Sequence, residues 1–207
     1  RRRCHRGGVG RRVPCFIRDS CVEFDTRYHV MPPLRSLADR DALRQGVISG
    51  VIDAVCSNHQ PHGMDAKLAP FSESAAGISG LETLLSLVLK LVDETALSLP
   101  EAVARVTTHP AQILGIGVGR LLPGAPADIC VFDTGANRQV GASQFISQGS
   151  NTPFDKIVLP GIVRSVVVAG QLISACCEKE GCVSRHLTVD QKVARFLKRK
   201  DAFLKLD

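Results

Sequence analysis

A short apolar stretch that ends in a cluster of polar residues constrains the fold of this chain most. Val51–Cys56 is rich in β-branched and small apolar residues, and Ser57-Asn-His-Gln-Pro-His62 follows it directly. Apolar runs of this length that end in turn residues are typical of buried strands in parallel sheets. Polar side chains at the ends of such strands build the active sites of (β/α) barrels. We therefore predict a strand at 51–57 with a candidate site at its carboxyl end.

Helical and strand patterns alternate on both sides of this stretch. The paired prolines in His29-Val-Met-Pro-Pro-Leu-Arg35 favour extended backbone, which is typical of a strand end and its loop. Ser36 is suited to cap a helix that runs to about Ser49. After a long loop at 58–78, an apolar stripe that includes Leu81 predicts a second helix from about Ser79 to Val92. This alternation is typical of parallel α/β folds.

The second half of the chain has a different pattern. Ser98-Leu-Pro-Glu predicts the start of a helix that runs to about Leu114, and Thr108-His-Pro-Ala predicts a break or kink within it. His109 in that break is either a catalytic group or a packed residue, and we favour the packed role. Residues 117–173 are turn-rich with short apolar alternations, the first at 129–132. They predict an all-β region separate from the α/β part.

The basic charge of the chain is concentrated at its beginning. Residues 1–18 hold seven arginines and no acidic residue, which leaves 19 basic and 20 acidic residues for the remainder. A basic face for nucleic acid is therefore not expected on the folded body. Residues 1–23 are either an Arg-rich nucleic-acid-binding arm or a non-native-looking segment. The sharp start of a recognisable pattern at Phe24 favours the second interpretation.

Cysteine placement argues against a disulfide framework. Of 8 cysteines, Cys56 and Cys130 lie in apolar runs, where a free thiol behaves as a small hydrophobic group, and the other six lie near the two ends. Residues 175–207 predict a Cys-rich linker followed by a cationic amphipathic helix at 188–206. No run approaches the roughly 18 consecutive apolar residues that span a bilayer, so we expect no membrane partner.

Several sequence motifs occur in one order between residues 24 and 173. They are Pro32-Pro-Leu-Arg, Ser57-Asn-His-Gln-Pro-His, Lys67-Leu-Ala-Pro-Phe with Gly77-Ile-Ser-Gly-Leu-Glu-Thr, Pro123-Gly-Ala-Pro-Ala-Asp and Asn151-Thr-Pro-Phe. This ordered set resembles the dihydroorotases, cyclic amidohydrolases of the amidohydrolase superfamily. The resemblance implies an α/β fold, the C-terminal part of a metal-dependent-hydrolase (β/α)8 TIM barrel plus the small all-β composite domain. Residues 24–115 would hold the last two βα units and the following helix, and residues 116–174 the small β-domain.

The resemblance also implies which residues belong to the site. In dihydroorotases the aspartate after the eighth strand ligates zinc and acts as general base, whereas Asn58 stands at that position here. An amide cannot accept the proton that a carboxylate would take. His62 matches the substrate-binding histidine and Gly77 a glycine of the substrate loop. Ala76 replaces the family's proline, and Met31 replaces an asparagine that commonly contacts substrate. We therefore expect zinc in the family but no metal ligand in this chain.

Two functions follow as expectations. The first is a dihydroorotase-family protein of de novo pyrimidine biosynthesis, which interconverts carbamoyl-aspartate and dihydroorotate. A full barrel takes about 250 residues, so this chain would be a truncated or catalytically degraded member, inactive by itself. The alternative is a non-catalytic dihydroorotase-like structural subunit of aspartate transcarbamoylase, which the substitutions at Asn58 and Met31 favour. The expected partner is then the transcarbamoylase subunit, with carbamoyl-aspartate or dihydroorotate bound only by an active member. The expected location is the cytoplasm.

Overall fold

A computed structural model describes residues 24–175, in which four helices precede an antiparallel sheet. The helices are α1 (Leu37–Ile48), α2 (Leu84–Glu94), α3 (Leu99–Ala104) and α4 (Thr108–Leu114), and the strands are β1 (Ile129–Gln139), β2 (Val158–Val168) and β3 (Gln171–Ala175). Two expected segments, the Arg-rich residues 1–23 and the C-terminal helix at 188–206, lie outside the described residues, as does all of the Cys-rich linker beyond Ala175.

Local capping chemistry starts α1 where the sequence predicts it. The Ser36 side chain accepts a hydrogen bond from the backbone N–H of Asp39, and the Asp39 carboxylate accepts from the backbone N–H of Ser36 at 3.1 Å. These reciprocal bonds satisfy two N–H groups that a helix start leaves without partners. The Ser36 hydroxyl and the Ser36 backbone N–H both donate to the Asp39 carboxylate and lower the pKa of Asp39 below its ordinary value. After α1, Gly50 adopts a left-handed φ of 76°, which ends the helix. The predicted helix is confirmed.

The predicted strand at 51–57 is wrong for the described part of the chain. The segment is extended and has a single bridge residue, Cys56, followed by a parallel bridge between His59 and Ile78, but it is not one of the three strands between residues 24 and 175. Its backbone is held in another way, because the N–H of Val55 donates to the carbonyl of Arg105 at 3.0 Å. A parallel strand exists only through bonds to neighbouring strands, which an apolar pattern alone cannot supply. The predicted burial holds only in part, since Ile52 and Val55 are 9% and 5% exposed whereas Val51 is 80% exposed.

Helix α2 begins five residues later than predicted. Residues 81–83 form a turn, and Leu81, expected on the apolar stripe, has 57% of its surface exposed. The buried face of α2 consists of Leu87, Val88, Leu89 and Leu91. No helix among residues 24–175 is long and apolar enough to cross a bilayer.

The third helix is broken, but at 105–107 between α3 and α4 rather than at Thr108-His-Pro-Ala, which lies within α4. A capping box between Ser98 and Glu101 starts α3, with proline in its first turn. After the break, His109 Nδ1 lies 3.2 Å from the Arg105 guanidinium and 3.1 Å from the Asp53 carbonyl. The ring thus lies against the Arg105 side chain and the Asp53 backbone, which supports the packed role for this histidine.

The three strands form a sheet in the order β1-β2-β3, with antiparallel pairing throughout. β1 extends well beyond the short strand expected at 129–132. The sheet rests on α2, where a Cβ added at Gly161 of β2 would lie 2.3 Å from Leu89 Cδ1. Phe154 and Leu159 join the same buried cluster as Val47 of α1 and other residues of the helical part. The sheet is therefore not packed apart from the helices as the sequence predicted, and the boundary near residue 116 stays a prediction.

Candidate functional site

Asn58 lies where the extended segment turns away from the core. Its φ of 46° is left-handed, a conformation that asparagine tolerates better than most residues. Its side-chain Nδ2 donates to the backbone carbonyl of Met31 at 3.4 Å. The structure thus brings together two positions at which the chain departs from the dihydroorotase motif. A carboxylate at position 58 could not donate this bond and would place an oxygen against the Met31 carbonyl.

A cavity of about 60 Å³ lies beside Asn58. Its walls are mainly apolar and include Val30, Leu87 and Phe154, whereas Asn58 and Thr83 contribute polar atoms. Mainly apolar walls with a few polar groups are typical of small-molecule sites. This volume holds a few water molecules or a small chemical group, but not a drug-sized ligand.

His62, Ala76 and Gly77 form a second contact cluster, which we call the ligand cluster. His62 Nε2 lies 3.2 Å from the carbonyl oxygen of Ala76. Because a carbonyl oxygen only accepts hydrogen bonds, Nε2 must carry a proton for this bond to form. Gly77 has a φ of 151°, and a Cβ there would lie 2.9 Å from His62 Nε2. Glycine at 77 is therefore required both by the backbone conformation and by the close approach of the histidine ring.

A buried lysine holds the loop that carries Ala76. Lys67 is 6% exposed, and its Nζ donates to the carbonyls of Ala75 at 2.5 Å and His29 at 3.2 Å. Burial lowers the pKa of Lys67, and the charge of Asp25 offsets part of that change. The carbonyl of His29 also accepts from the backbone N–H of Gly77 at 2.9 Å. These bonds tie the loop to the segment that leads to Met31. The lysine belongs to a recognised motif, but nothing in its spacing predicted this role.

A chain of polar contacts links His59 to a residue beyond β1. His59 Nδ1 accepts from the backbone N–H groups of Gly80 at 3.1 Å and Leu81 at 3.3 Å, and Nε2 lies 3.4 Å from Ser147 Oγ. Ser147 Oγ in turn donates to Glu82 Oε1 at 2.7 Å. Burial acts to raise the pKa of Glu82. The hydrogen bonds from Ser147 act in the opposite direction, and the pKa of Glu82 lies below its ordinary value as a net result. The arrangement keeps Glu82 ionised and uses both nitrogens of His59.

The donor atoms around Asn58 do not fit a zinc ion. Asn58 offers a neutral amide, both nitrogens of His59 already have partners, and His62 Nε2 faces a carbonyl. Structural and catalytic zinc sites use three or four converging His, Cys, Asp or Glu ligands. Between residues 24 and 175 no group of three such side chains is placed to hold a metal ion. No chemical step at this site can therefore be assigned to zinc held by these residues.

Comparison with known proteins defines the family. A model of the amidohydrolase family matches residues 32–173, more than half of the chain. The chain belongs to the amidohydrolase family. Solved structures with a similar fold include hydantoinases. The L-hydantoinase (dihydropyrimidinase) from Arthrobacter aurescens aligns with a TM-score of 0.76 and 26% identity, over 86% of this chain and 40% of that one. The predicted α/β class and amidohydrolase barrel fold are confirmed.

Within this family the chain is similar to dihydroorotases and dihydroorotase-like proteins. A dihydroorotase-like protein of Pseudomonas aeruginosa is 47% identical over 154 residues, which are 74% of this chain and 36% of that protein. A dihydroorotase of Syntrophus aciditrophicus is 43% identical over 155 residues, which are 75% of this chain and 36% of that protein. The chain thus spans little more than a third of the length of these relatives. The predicted resemblance is confirmed.

Proposed function

We propose that this chain belongs to a dihydroorotase-family protein of pyrimidine biosynthesis and does not catalyse the reaction by itself. The observation that carries this proposal is the Asn58 amide, which takes the position of the family's general base and donates to a carbonyl. The ligand cluster supports a retained capacity to bind a cyclic amide or its open-chain carboxylate. The similarity to dihydroorotases supports the substrate class.

The described groups near Asn58 are poorly suited to proton transfer. Opening or closing a cyclic amide needs a group that accepts a proton from the attacking nucleophile. The amide of Asn58 is not basic. His59 Nδ1 already accepts two backbone N–H groups, and His62 Nε2 is the donor of its bond to Ala76. The site therefore offers no base at position 58, and the Nδ1 lone pair of His59 is already used by two backbone N–H groups.

Activity, metal content and binding test this proposal on the full chain. We expect no carbamoyl-aspartate cyclisation above the uncatalysed rate, and zinc far below one ion per chain after dialysis. We expect dihydroorotate binding, measured by calorimetry, to be lost in His62→Ala. The matched control His109→Ala should keep it, since His109 packs between Asp53 and Arg105. Turnover above the uncatalysed rate would overturn the absence of catalysis, and zinc near one ion per chain would overturn the expectation that these residues hold no metal.

A second candidate function is that of a structural subunit. We propose, as the alternative, that the whole protein binds an aspartate transcarbamoylase subunit and stabilises it in the cytoplasm without catalysing its own step. The substituted positions Asn58 and Met31, which contact one another, favour this role over catalysis. A partner that binds only the folded assembly adds stability by mass action, whatever its own site can do.

Co-expression of the full-length protein with the transcarbamoylase from the same genome, followed by size-exclusion chromatography, tests the alternative. Co-elution, with a higher melting temperature of the transcarbamoylase, is the expected result. Separate elution, together with unchanged transcarbamoylase stability after deletion of this gene, would rule out the structural role.

A further inference from the structure

Residues 147–151, which we call the clamp segment, make contacts at alternate positions. Their partners are residues 57–62, which we call the polar motif, and Ser79. Ser147 Oγ lies 3.4 Å from His59 Nε2, and the carbonyl of Gly149 accepts from Ser79 Oγ at 2.6 Å. Asn151 is the third of these positions and is 1% exposed. The clamp segment follows β1, yet its contacts lie in the helical half of the chain. It therefore joins the region of the sheet to the candidate site.

The side chain of Asn151 uses all of its hydrogen-bonding capacity inside the protein. Its Oδ1 accepts from the backbone N–H of His62 at 2.7 Å and lies 2.8 Å from Ser79 Oγ, whose single proton it shares with the Gly149 carbonyl. Its Nδ2 donates to the carbonyls of Gly77 at 3.0 Å and Gln60 at 3.3 Å. Three of the four hydrogen-bonding positions of the amide thus have a bond of their own, and the fourth shares the Ser79 proton. The same amide thus holds segment 60–62 on one side and segment 77–79 on the other.

These contacts bear directly on the ligand cluster. The bond between His62 Nε2 and the Ala76 carbonyl joins the two segments that Asn151 holds, since Gly77 follows Ala76. Without the Asn151 amide, the His62 N–H and the Gly77 carbonyl lose their shared partner, and the two segments keep the backbone bond from the Gln60 N–H to the Ile78 carbonyl at 2.9 Å. Buried polar groups left unpaired in this way are costly, so the two segments would rearrange to find water or other partners.

We propose that Asn151 is a positioning residue for the ligand cluster: it sets the place of the His62 ring against Ala76 and Gly77 without touching a ligand itself. The placement of His62 stands on the contacts alone, whereas its consequence for ligand binding rests on the proposed function. Asn151 would thus keep the Nε2–H of His62 directed at the carbonyl oxygen of Ala76. A structural role without positioning would lower stability but leave the state of His62 unchanged.

The test uses the full chain with ¹⁵N-labelled histidine and compares Asn151→Ala with Thr152→Ala. Thr152 is a matched control, because it is 3% exposed but its hydroxyl bonds only locally, accepting from the backbone N–H of Phe154. In the parent and in Thr152→Ala, the ring nitrogen shifts of His62 should report a proton on Nε2. In Asn151→Ala they should move towards mixed tautomers, and amide hydrogen exchange at His62 should rise at least about tenfold.

Asn151→Asp separates the two sides of the clamp. Its carboxylate still accepts from the His62 N–H and Ser79 Oγ but has no donor for the Gly77 carbonyl. We expect the His62 amide to stay protected while the His62 ring loses its single tautomer. If Asn151→Ala does not fold, this variant decides: a ring signal identical to that of the parent would overturn the positioning role. An unchanged ring signal in a folded Asn151→Ala would overturn it as well.

A dihydroorotate titration distinguishes failure of the positioning role of Asn151 from failure of the proposed function. If the parent binds and Asn151→Ala binds at least about tenfold more weakly, with Thr152→Ala unchanged, the positioning role extends to the ligand. If the parent does not bind dihydroorotate while the His62 ring responds to Asn151→Ala, the positioning role stands and the proposed ligand is wrong. Parent-like binding by a folded Asn151→Ala would overturn the inference.

Discussion

The backbone contact between Gly149 and the polar motif makes a sharp prediction for Gly149→Ala. A Cβ at this buried position would lie 2.3 Å from the backbone nitrogen of His62, 2.6 Å from the carbonyl carbon of Pro61 and 2.7 Å from the carbonyl oxygen of His62. All three are backbone atoms, so no side-chain rotation can relieve the overlap. Overpacking of this kind costs about 1–3 kcal/mol, from which the smaller entropy of an unfolded alanine chain removes about 0.4–1 kcal/mol.

The expected net loss of stability for Gly149→Ala is therefore about 2 kcal/mol, or a melting temperature roughly 4–8 °C lower for a chain of this size. Thermal unfolding followed by circular dichroism measures it. Gly117→Ala is the matched control, because nothing lies within 4 Å of its added Cβ. That variant should melt at the parent temperature or slightly above it. Equal melting temperatures for the two variants would refute the close approach of residues 149 and 61–62.

Three further changes test other parts of the structure. Asn58→Asp should restore no dihydroorotase activity and should lower the free energy of unfolding by about 1 kcal/mol, measured by urea denaturation, because the amide donor is lost. The pKa of Glu82 is lowered in the folded state, so the stability it adds is present above its ordinary value of 4.5 and is lost as the pH falls through the folded pKa. Urea midpoints between about pH 6 and pH 3 should fall more steeply in the parent than in Ser147→Ala. Leu89→Ala should cost about 2–4 kcal/mol, whereas Leu81→Ala, on an exposed side chain, should cost less than about 0.5 kcal/mol.

Features that depend on near neighbours in the chain were predictable from the sequence. The starts of α1 and α3 follow from capping boxes whose partners are three positions apart, Ser36 with Asp39 and Ser98 with Glu101. Local chemistry also predicted a break in the third helix, but the break lies at 105–107, before the Thr108-His-Pro-Ala sequence that suggested it. The strand expected at 51–57 was not predictable in this way, because pairing requires a partner elsewhere in the chain. The same limit explains Leu81, whose apolar side chain fits the helical stripe although its backbone N–H bonds to His59 instead.

The same distinction between near and distant contacts applies to the candidate site. Motif resemblance placed His62, Gly77 and Asn151 in one ordered set of motifs and marked Asn58 as a substitution, and the structure brings the first three residues into contact. It could not show that Ala76 accepts a bond from His62, or that Asn151 links the two segments. Those contacts depend on how distant loops meet, and no spacing in the sequence encodes a distance between them.

The clamp segment also has a consequence for how the polar motif acquires its shape. Its bonds to His59, Gln60 and His62 join residues 88, 91 and 89 positions apart in the chain. A ribosome adds about 5–20 residues per second, so roughly 5–20 s pass between synthesis of the motif and synthesis of Asn151. Contacts of such high sequence separation also carry a large loop-closure cost and form late in folding. On a nascent chain that has not reached residue 151, the backbone N–H of His62 therefore still lacks the Asn151 partner that holds it in the folded protein.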